Sequence, residues 1–377
     1  MTSGPVVVCL DKFRGSATAR EACAWLAGGL RAADPELSVV EIPLADGGEG
    51  TVEALLTAGY SPVHADVLGP TGARVRAAFA VRGHRAVVEL AQASGLDLVD
   101  DPDGAPLTAT TYGTGQLIAR ALDLGCTEIV LAVGGSASTD GGAGLLQALG
   151  ARITRSDGEE IAFGGAALSD ATSLDLRDLD PRLREAGIVL ASDVDNPLLG
   201  PEGAATVFAP QKGATPAQVQ ALEAALRRWA ALISEATGTD HVAAAGAGAA
   251  GGAGFAALAV LGARRRNGTE LVVSELGLAE ALRGARLCVV GEGSFDAQSL
   301  RGKAPVAAAA LAREAGVPVT LVAGRVSVAG AVLREHGIVS GHSLLEAAGS
   351  LQEAIDRAPG LLRAIGRTIA DAPQTGT

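Results

Sequence analysis

PVVVCLDKFRGSATAREA, residues 5–22, decides the fold of this chain. Val6 to Leu10 is an apolar run rich in β-branched valine, short enough for a strand and too apolar for an exposed one. The polar loop Asp11 to Ala17 follows. Thr18 then offers a hydroxyl cap, and Glu21 completes a capping box, so a helix starts near Thr18. A buried strand that passes through a short loop into a capped helix is the unit of α/β folds with largely parallel sheets.

The same rhythm continues outward. Ser38 to Ile42 reads as the next strand, leading through Pro43 to Gly50 into a helix from about Thr51. The character then changes. Val63–Leu68, Arg74–Arg82 and Arg85–Leu90 are strands separated only by Gly69-Pro70-Thr71-Gly72 and Gly83-His84, which predicts antiparallel pairing. Glu128–Val133 and Ile188–Ala191 are later strands. After Leu282 the βα rhythm returns, with Leu287–Val290, a helix from about Lys303, and Val317–Val322. The expected fold is therefore α/β with two domains: a Rossmann-like parallel-sheet domain formed by residues 1–68 and 286–377, and a mixed-sheet α/β domain, 69–285, inserted in it.

Bulk properties narrow the function. At 377 residues the chain has room for two domains, and its 48% hydrophobic content supplies packed cores. A net charge of −12 argues against a nucleic-acid or anionic-membrane partner, since both need a basic face. Cys9, Cys23, Cys126 and Cys288 show no metal-type spacing, and Cys9 and Cys288 fall in apolar strands, as expected in a reducing cytoplasm. No basic leader precedes Asp11 and Lys12, so a signal peptide is not expected. The uncharged run Val242–Ala263 is mostly Ala and Gly, and reads as a glycine-rich loop entering a buried helix rather than a membrane span.

In open α/β sheets ligands bind beyond the carboxyl ends of strands. The loops there are Asp11-Lys12-Phe13-Arg14-Gly15-Ser16, Asp46-Gly47-Gly48-Glu49-Gly50, Gly134-Gly135-Ser136-Ala137-Ser138-Thr139-Asp140-Gly141-Gly142, Ser192-Asp193-Val194-Asp195, and Gly291-Glu292-Gly293-Ser294-Phe295-Asp296. One glycine-bearing loop after a strand is usually a tight turn, but five that are also rich in Asp and Ser/Thr point to a site. The chain holds only three lysines, Lys12, Lys212 and Lys303, against 27 arginines. Lys212 follows Gln211 and precedes Gly213; Lys303 follows Gly302 at a helix start. A lysine beside a helix N-terminus is unfavourable unless an anion shares the site, which suits phosphate chemistry.

Phosphoryl transfer also needs carboxylates for Mg²⁺ and for the proton of the attacking alcohol. Asp193 and Asp195, two apart on an extended segment, face one side, one suited to metal and the other to substrate. Asp46 has glycines that let a small molecule approach the backbone. Asp140 and Asp296 suit helix capping as well as catalysis. No Walker A loop, protein-kinase set or nucleophile elbow occurs, and Gly246-x-Gly248-x-x-Gly251 lacks the preceding strand of a dinucleotide fingerprint.

Taken in order, these loops resemble the bacterial glycerate kinases that are neither P-loop nor protein-kinase-like. Glu89–Leu96, Thr111–Gly115, Phe208–Ala214, Gly246–Gly252 and Gly291-Glu292-Gly293-x-x-Asp296-x-Gln298 also carry the resemblance, which runs from residue 11 to about 324. It implies ATP with Mg²⁺ as donor, D-glycerate as acceptor, 2-phosphoglycerate as product, and a site in the cleft between two domains. Under it Lys212 neutralises the transferred phosphoryl group, Arg14 or Lys303 holds the glycerate carboxylate or the ATP phosphates, Asp193 takes or orients the hydroxyl proton, and Asp195 helps to hold Mg²⁺. Asp11, Lys12, Gly15, Ser16, Asp46, Gly47, Gly48, Glu49, Gly134, Gly135, Ser136, Asp140, Gly141, Gln211, Gly291, Glu292, Gly293 and Asp296 contact substrate or nucleotide. The chain departs from the family at Lys12 (usually small), Arg14 (usually lysine) and Thr139 (usually asparagine). A kinase for another small hydroxy acid and a non-catalytic hydroxy-acid sensor are the alternatives, and a homo-oligomer stays open.

Overall fold

The computed structural model describes residues 4–100 and 104–372. Its strands are β1 (Val6–Leu10), β2 (Val39–Glu41), β3 (Ser61–Leu68), β4 (Arg74–Arg82), β5 (Arg85–Glu89), β6 (Glu128–Ala132) and β7 (Arg152–Thr154). They continue as β8 (Ser173–Asp175), β9 (Gly187–Ala191), β10 (Arg264–Arg266), β11 (Leu287–Phe295), β12 (Val319–Val326) and β13 (Ile338–Ser343). The chain forms two compact units, one running through Asp46 with Glu53–Ala58 and the segment from Thr269 on, the other Gly47–Val52 with Gly59–Gly268. The two units interleave over residues 47–58, and the second division lies between Gly268 and Thr269. β3 pairs along its whole length with β4, which commits it to the second unit.

The first unit is a five-stranded sheet in the order β13-β12-β11-β1-β2, every pair parallel. All five residues of β1 are buried, as a central strand covered on both faces requires. The helix Ala19–Ala33 begins where the capping box places it: the Thr18 hydroxyl accepts from Glu21 N, and the Glu21 carboxylate accepts from Thr18 N. Its Ala22, Cys23, Leu26 and Leu30 face the core with Leu362 and Ile365 of the C-terminal helix Ala358–Asp371. Each buried leucine there contributes roughly 2 kcal/mol by removal of apolar surface from water.

The second unit holds a six-stranded mixed sheet, β10-β9-β6-β5-β4-β3. β5, β6, β9 and β10 run parallel, while β3, β4 and β5 are antiparallel, as the short turns between them predict. β7 and β8 form a separate two-stranded ribbon. Trp229, Phe79 and Phe255 are fully buried in this core. Val242–Ala263 is a loop entering the buried segment Ala249–Ala259, in which Ala250, Gly251 and Gly252 are left-handed. Among the described residues no helix is long and apolar enough to cross a membrane. All four cysteines are free and buried.

One expected loop is a strand. β11 does not stop at Val290 but runs to Phe295, paired with β12 as far as Val326, so Gly291, Glu292 and Gly293 lie on the sheet. The glycines mark close backbone approach rather than a turn: a Cβ on Gly291 would stand 1.8 Å from Val322 O.

Candidate active site

In the second unit the loop after β6 is built around two buried charged residues. Asp140 is 0% exposed, and its carboxylate accepts from Thr111 N and Oγ1, both at 2.8 Å, from Gly142 N at 3.1 Å and from Gly144 N at 3.3 Å. It thereby caps the short helix Ala143–Ala148 and ties it to the start of Tyr112–Asp123. Burial raises the Asp140 pKa against the pull of these donors. The next residue, Gly141, has φ of +62°, and its carbonyl accepts from Trp229 Nε1 at 3.0 Å. A Cβ there would meet the Trp229 ring at 2.4 Å, so only glycine serves.

Lys212 ends the turn Pro210–Lys212 and is 5% exposed. Its ammonium donates to Ser136 Oγ at 2.9 Å and to Ser138 O at 2.5 Å, with no carboxylate among the described residues in hydrogen-bond contact. Burial pushes its pKa down from 10.5 to about 7, while the charge of Asp140 opposes that fall. A cation held by neutral oxygens, near a carboxylate already accepting from four donors, is set up to meet an anion. The loop also leaves the buried hydroxyls of Ser138 and Thr139 without hydrogen-bond partners.

The glycines after β2 are held against this loop by a residue assigned no role from the sequence. Glu89, at the end of β5 and 0% exposed, accepts from Gly50 N at 3.3 Å and Val52 N at 3.0 Å, at the start of the helix Thr51–Thr57. Gly47 and Gly48 then lie so close to the neighbouring backbone that a Cβ on Gly134 would stand 2.3 Å from Gly48 Cα. Glu89→Ala leaves two buried backbone donors unmatched and is expected to lower stability by about 2–4 kcal/mol in urea denaturation. Wild-type stability in that variant would show that the anchor is dispensable.

Beyond β9, Asp193 is exposed, and its Oδ1 accepts from Gly268 N at 2.6 Å. Asp195 is also exposed but turns to Arg265, 2.6 Å away, rather than standing open for a metal. The same Arg265 donates to Val194 O, and its Nε is buried without a partner. Gln211 and Glu49 lie on the surface, as does Gly135, whose carbonyl accepts from Leu96 N.

The first unit gathers a separate acidic set at the carboxyl ends of β2, β1 and β11. Asp11 is 8% exposed, and Lys12 N donates to its Oδ1 at 2.6 Å. Burial first, then the charge of Asp46, raise its pKa to about 7, with Glu292 adding a smaller push. Burial also raises the Glu292 pKa, opposed by Ser299 and by Lys303, whose Nζ lies 3.6 Å from Glu292 Oε2. Asp296 caps the turn that follows, accepting from Gln298 N and Ser299 N. Gly293 packs on the backbone of Phe13 and Arg14; Arg14 and Gly15 face solvent, and Ser16 Oγ donates to Phe13 O.

Sequence reasoning thus named Lys212, Ser136 and Asp140, which the fold brings together. It placed Glu89 and Thr111 only within stretches of resemblance, without a role, and did not name Trp229 or Arg265; these four hold that group in place. Glu89 carried a usable signal, since a glutamate closing the apolar strand Ala86-Val87-Val88 is a buried charge in need of donors. Thr111 and Trp229 act through contacts 29 and 88 residues away in sequence, which no local pattern reports.

The chain is thus a two-unit α/β protein with a parallel sheet ending in acidic loops and a mixed sheet whose central loop grips a buried lysine. A profile of the glycerate kinase family matches residues 6–374, and the chain belongs to that family. It is 41% identical over 352 residues to a protein of Escherichia coli K12 named glycerate 2-kinase, covering 93% of this chain and 92% of the relative. A glycerate kinase of Halalkalibacterium halodurans is 42% identical over 97% of both chains. A crystal structure from Salmonella typhimurium LT2, described as a candidate glycerate kinase 2, superposes with a TM-score of 0.83 at 40% identity over 97% of each chain.

Proposed function

We propose that this enzyme transfers the γ-phosphoryl group of ATP to the 2-hydroxyl of D-glycerate in the cytoplasm, with Mg²⁺ as the metal. The observation that carries this reading is Lys212, a buried cation with neutral hydrogen-bond partners in a loop anchored by Asp140. In the reaction a bond forms between the glycerate O2 and the γ-phosphorus, and the bond from that phosphorus to the β–γ bridging oxygen breaks. The hydroxyl proton passes to the carboxylate of Asp193. Lys212 donates to the oxygens of the group in flight, where negative charge spreads in the transition state. Arg14 and Lys303 bind the glycerate carboxylate and the ATP phosphates. Mg²⁺, when bound, screens the charge on the phosphates. The 2-hydroxyl is favoured because the related E. coli protein is named glycerate 2-kinase.

A coupled assay with ATP, Mg²⁺ and D-glycerate, followed by ³¹P NMR of the product, tests this. Turnover giving 2-phosphoglycerate is expected. No turnover refutes the activity, and the 3-phospho isomer refutes the regiochemistry. Asp193→Asn is expected to lower kcat by about 10²–10⁴-fold, the range for loss of a positioned base. Retention of full rate removes Asp193 from that role.

A further inference from the structure

We propose that Asp11 and Glu292 together form a divalent-cation site at the carboxyl end of the first unit's parallel sheet. The two residues stand side by side because β1 and β11 are parallel neighbours in a register that pairs Leu10 with Gly291. The backbone pairing carries one step further, with Asp11 N donating to Gly291 O at 2.8 Å and Gly293 N to Lys12 O at 3.2 Å. Asp11 and Glu292 are therefore the next opposed pair. Their side chains share one face of the sheet, on strands about 4.8 Å apart.

Both residues are more than nine-tenths buried, at 8% and 7% exposed. Of the Glu292 oxygens, Oε2 looks to Lys303 at 3.6 Å, while Oε1 is buried and has no hydrogen-bond partner. Asp11 accepts from the backbone N–H of Lys12. Asp46 adds a third carboxylate near enough to act on Asp11. A buried carboxylate oxygen without a hydrogen-bond donor, on the strand beside a second buried acid, is a position that a hard cation fills. Among the described residues no three His, Cys, Asp or Glu side chains make a full metal cage. Mg²⁺ is held by one or two carboxylates and completed by waters and substrate phosphates. Asp195, the metal ligand expected from sequence, is occupied by Arg265 instead.

The choice of ion rests on the kinase reading, but the site is tested without turnover. Mn²⁺ is titrated into the full-length protein and binding is followed by water-proton relaxation, with Mg²⁺ as competitor. Asp11→Asn and Glu292→Gln, both isosteric and checked by thermal melting, are each expected to weaken Mn²⁺ binding about tenfold or more, the loss typical when a metal site is disturbed. Asp195→Asn is expected to leave it unchanged. Wild-type Mn²⁺ affinity in both Asp11→Asn and Glu292→Gln overturns the site, as does the absence of Mn²⁺ binding by the wild type. Intact Mn²⁺ binding with no phosphorylation of glycerate would leave the site standing and sink the functional reading.

Discussion

Lys212→Met is expected to lower kcat by about 10³-fold, the range seen when one charge-stabilising donor is removed from a phosphoryl- or acyl-transfer site. The same substitution is expected to leave the fold at least as stable as the wild type. The reason is the sign of the pKa shift. In the unfolded chain this lysine keeps its proton to about 10.5, whereas burial in the fold brings the value down to about 7. Between those values the unfolded state binds more protons, so stability rises with pH across the window and the penalty is full below pH 7. Methionine has similar length and no charge to desolvate, and exchanging a buried charge for an apolar side chain is often neutral or stabilising by about 1–4 kcal/mol. Against this stands the loss of the bonds to Ser136 Oγ and Ser138 O, at about 1 kcal/mol each. Steady-state kinetics and urea denaturation at pH 6 and pH 9 separate the two effects. The stability advantage of the variant should be larger at pH 6. A variant that loses stability most at pH 6, or keeps its rate, contradicts this account.

The local signals in the sequence were strong where the physics is local. Val6–Leu10 reads as a strand because five buried apolar residues in a row leave no solvent face, and Thr18 with Glu21 reads as a cap because that bond closes within one turn. The antiparallel interlude was legible from turns too short for a crossover. The run Gly291-Glu292-Gly293 misled because glycine after an apolar strand has two uses. It can free the chain to turn, or let another backbone come close, and here Val322 O and the Phe13 backbone occupy the place of a side chain. Nothing within the run tells these apart, since the deciding atoms lie on β12 and on the loop after β1.

The same division holds at the site. Rarity made Lys212 visible, and its position between Gln211 and Gly213 suggested an anion. What makes it unusual is burial, which arises from packing by segments far along the chain. Asp195 shows another limit: spacing by two from Asp193 suggested a shared face, and the partner of its carboxylate, Arg265, lies in a short edge strand 70 residues away. Glu292 was noticed as a loop residue. Its unpartnered oxygen becomes apparent only when β1 is laid beside β11.

Asp140→Ala is expected to lower stability by about 4 kcal/mol, near the top of the range for a single substitution, because four buried donors lose one acceptor group together. Asp140→Asn is the more informative change. The amide keeps one acceptor oxygen but turns an N–H₂ toward backbone N–H groups, so about 2–3 kcal/mol is expected to go. It also removes the negative charge that holds the Lys212 pKa up. Wild-type kcat/KM is expected to fall as pH rises above about 7, where the free enzyme's Lys212 loses its proton. In Asp140→Asn that limb should move down by about one pH unit, with part of the lost rate recovered on acidification. A residue that only braced the loop would lower the rate equally at every pH. A pH profile displaced downward, in a variant still folded by thermal melting, would therefore show that Asp140 tunes the lysine as well as holding its loop, and a profile lowered uniformly would show that it holds the loop alone.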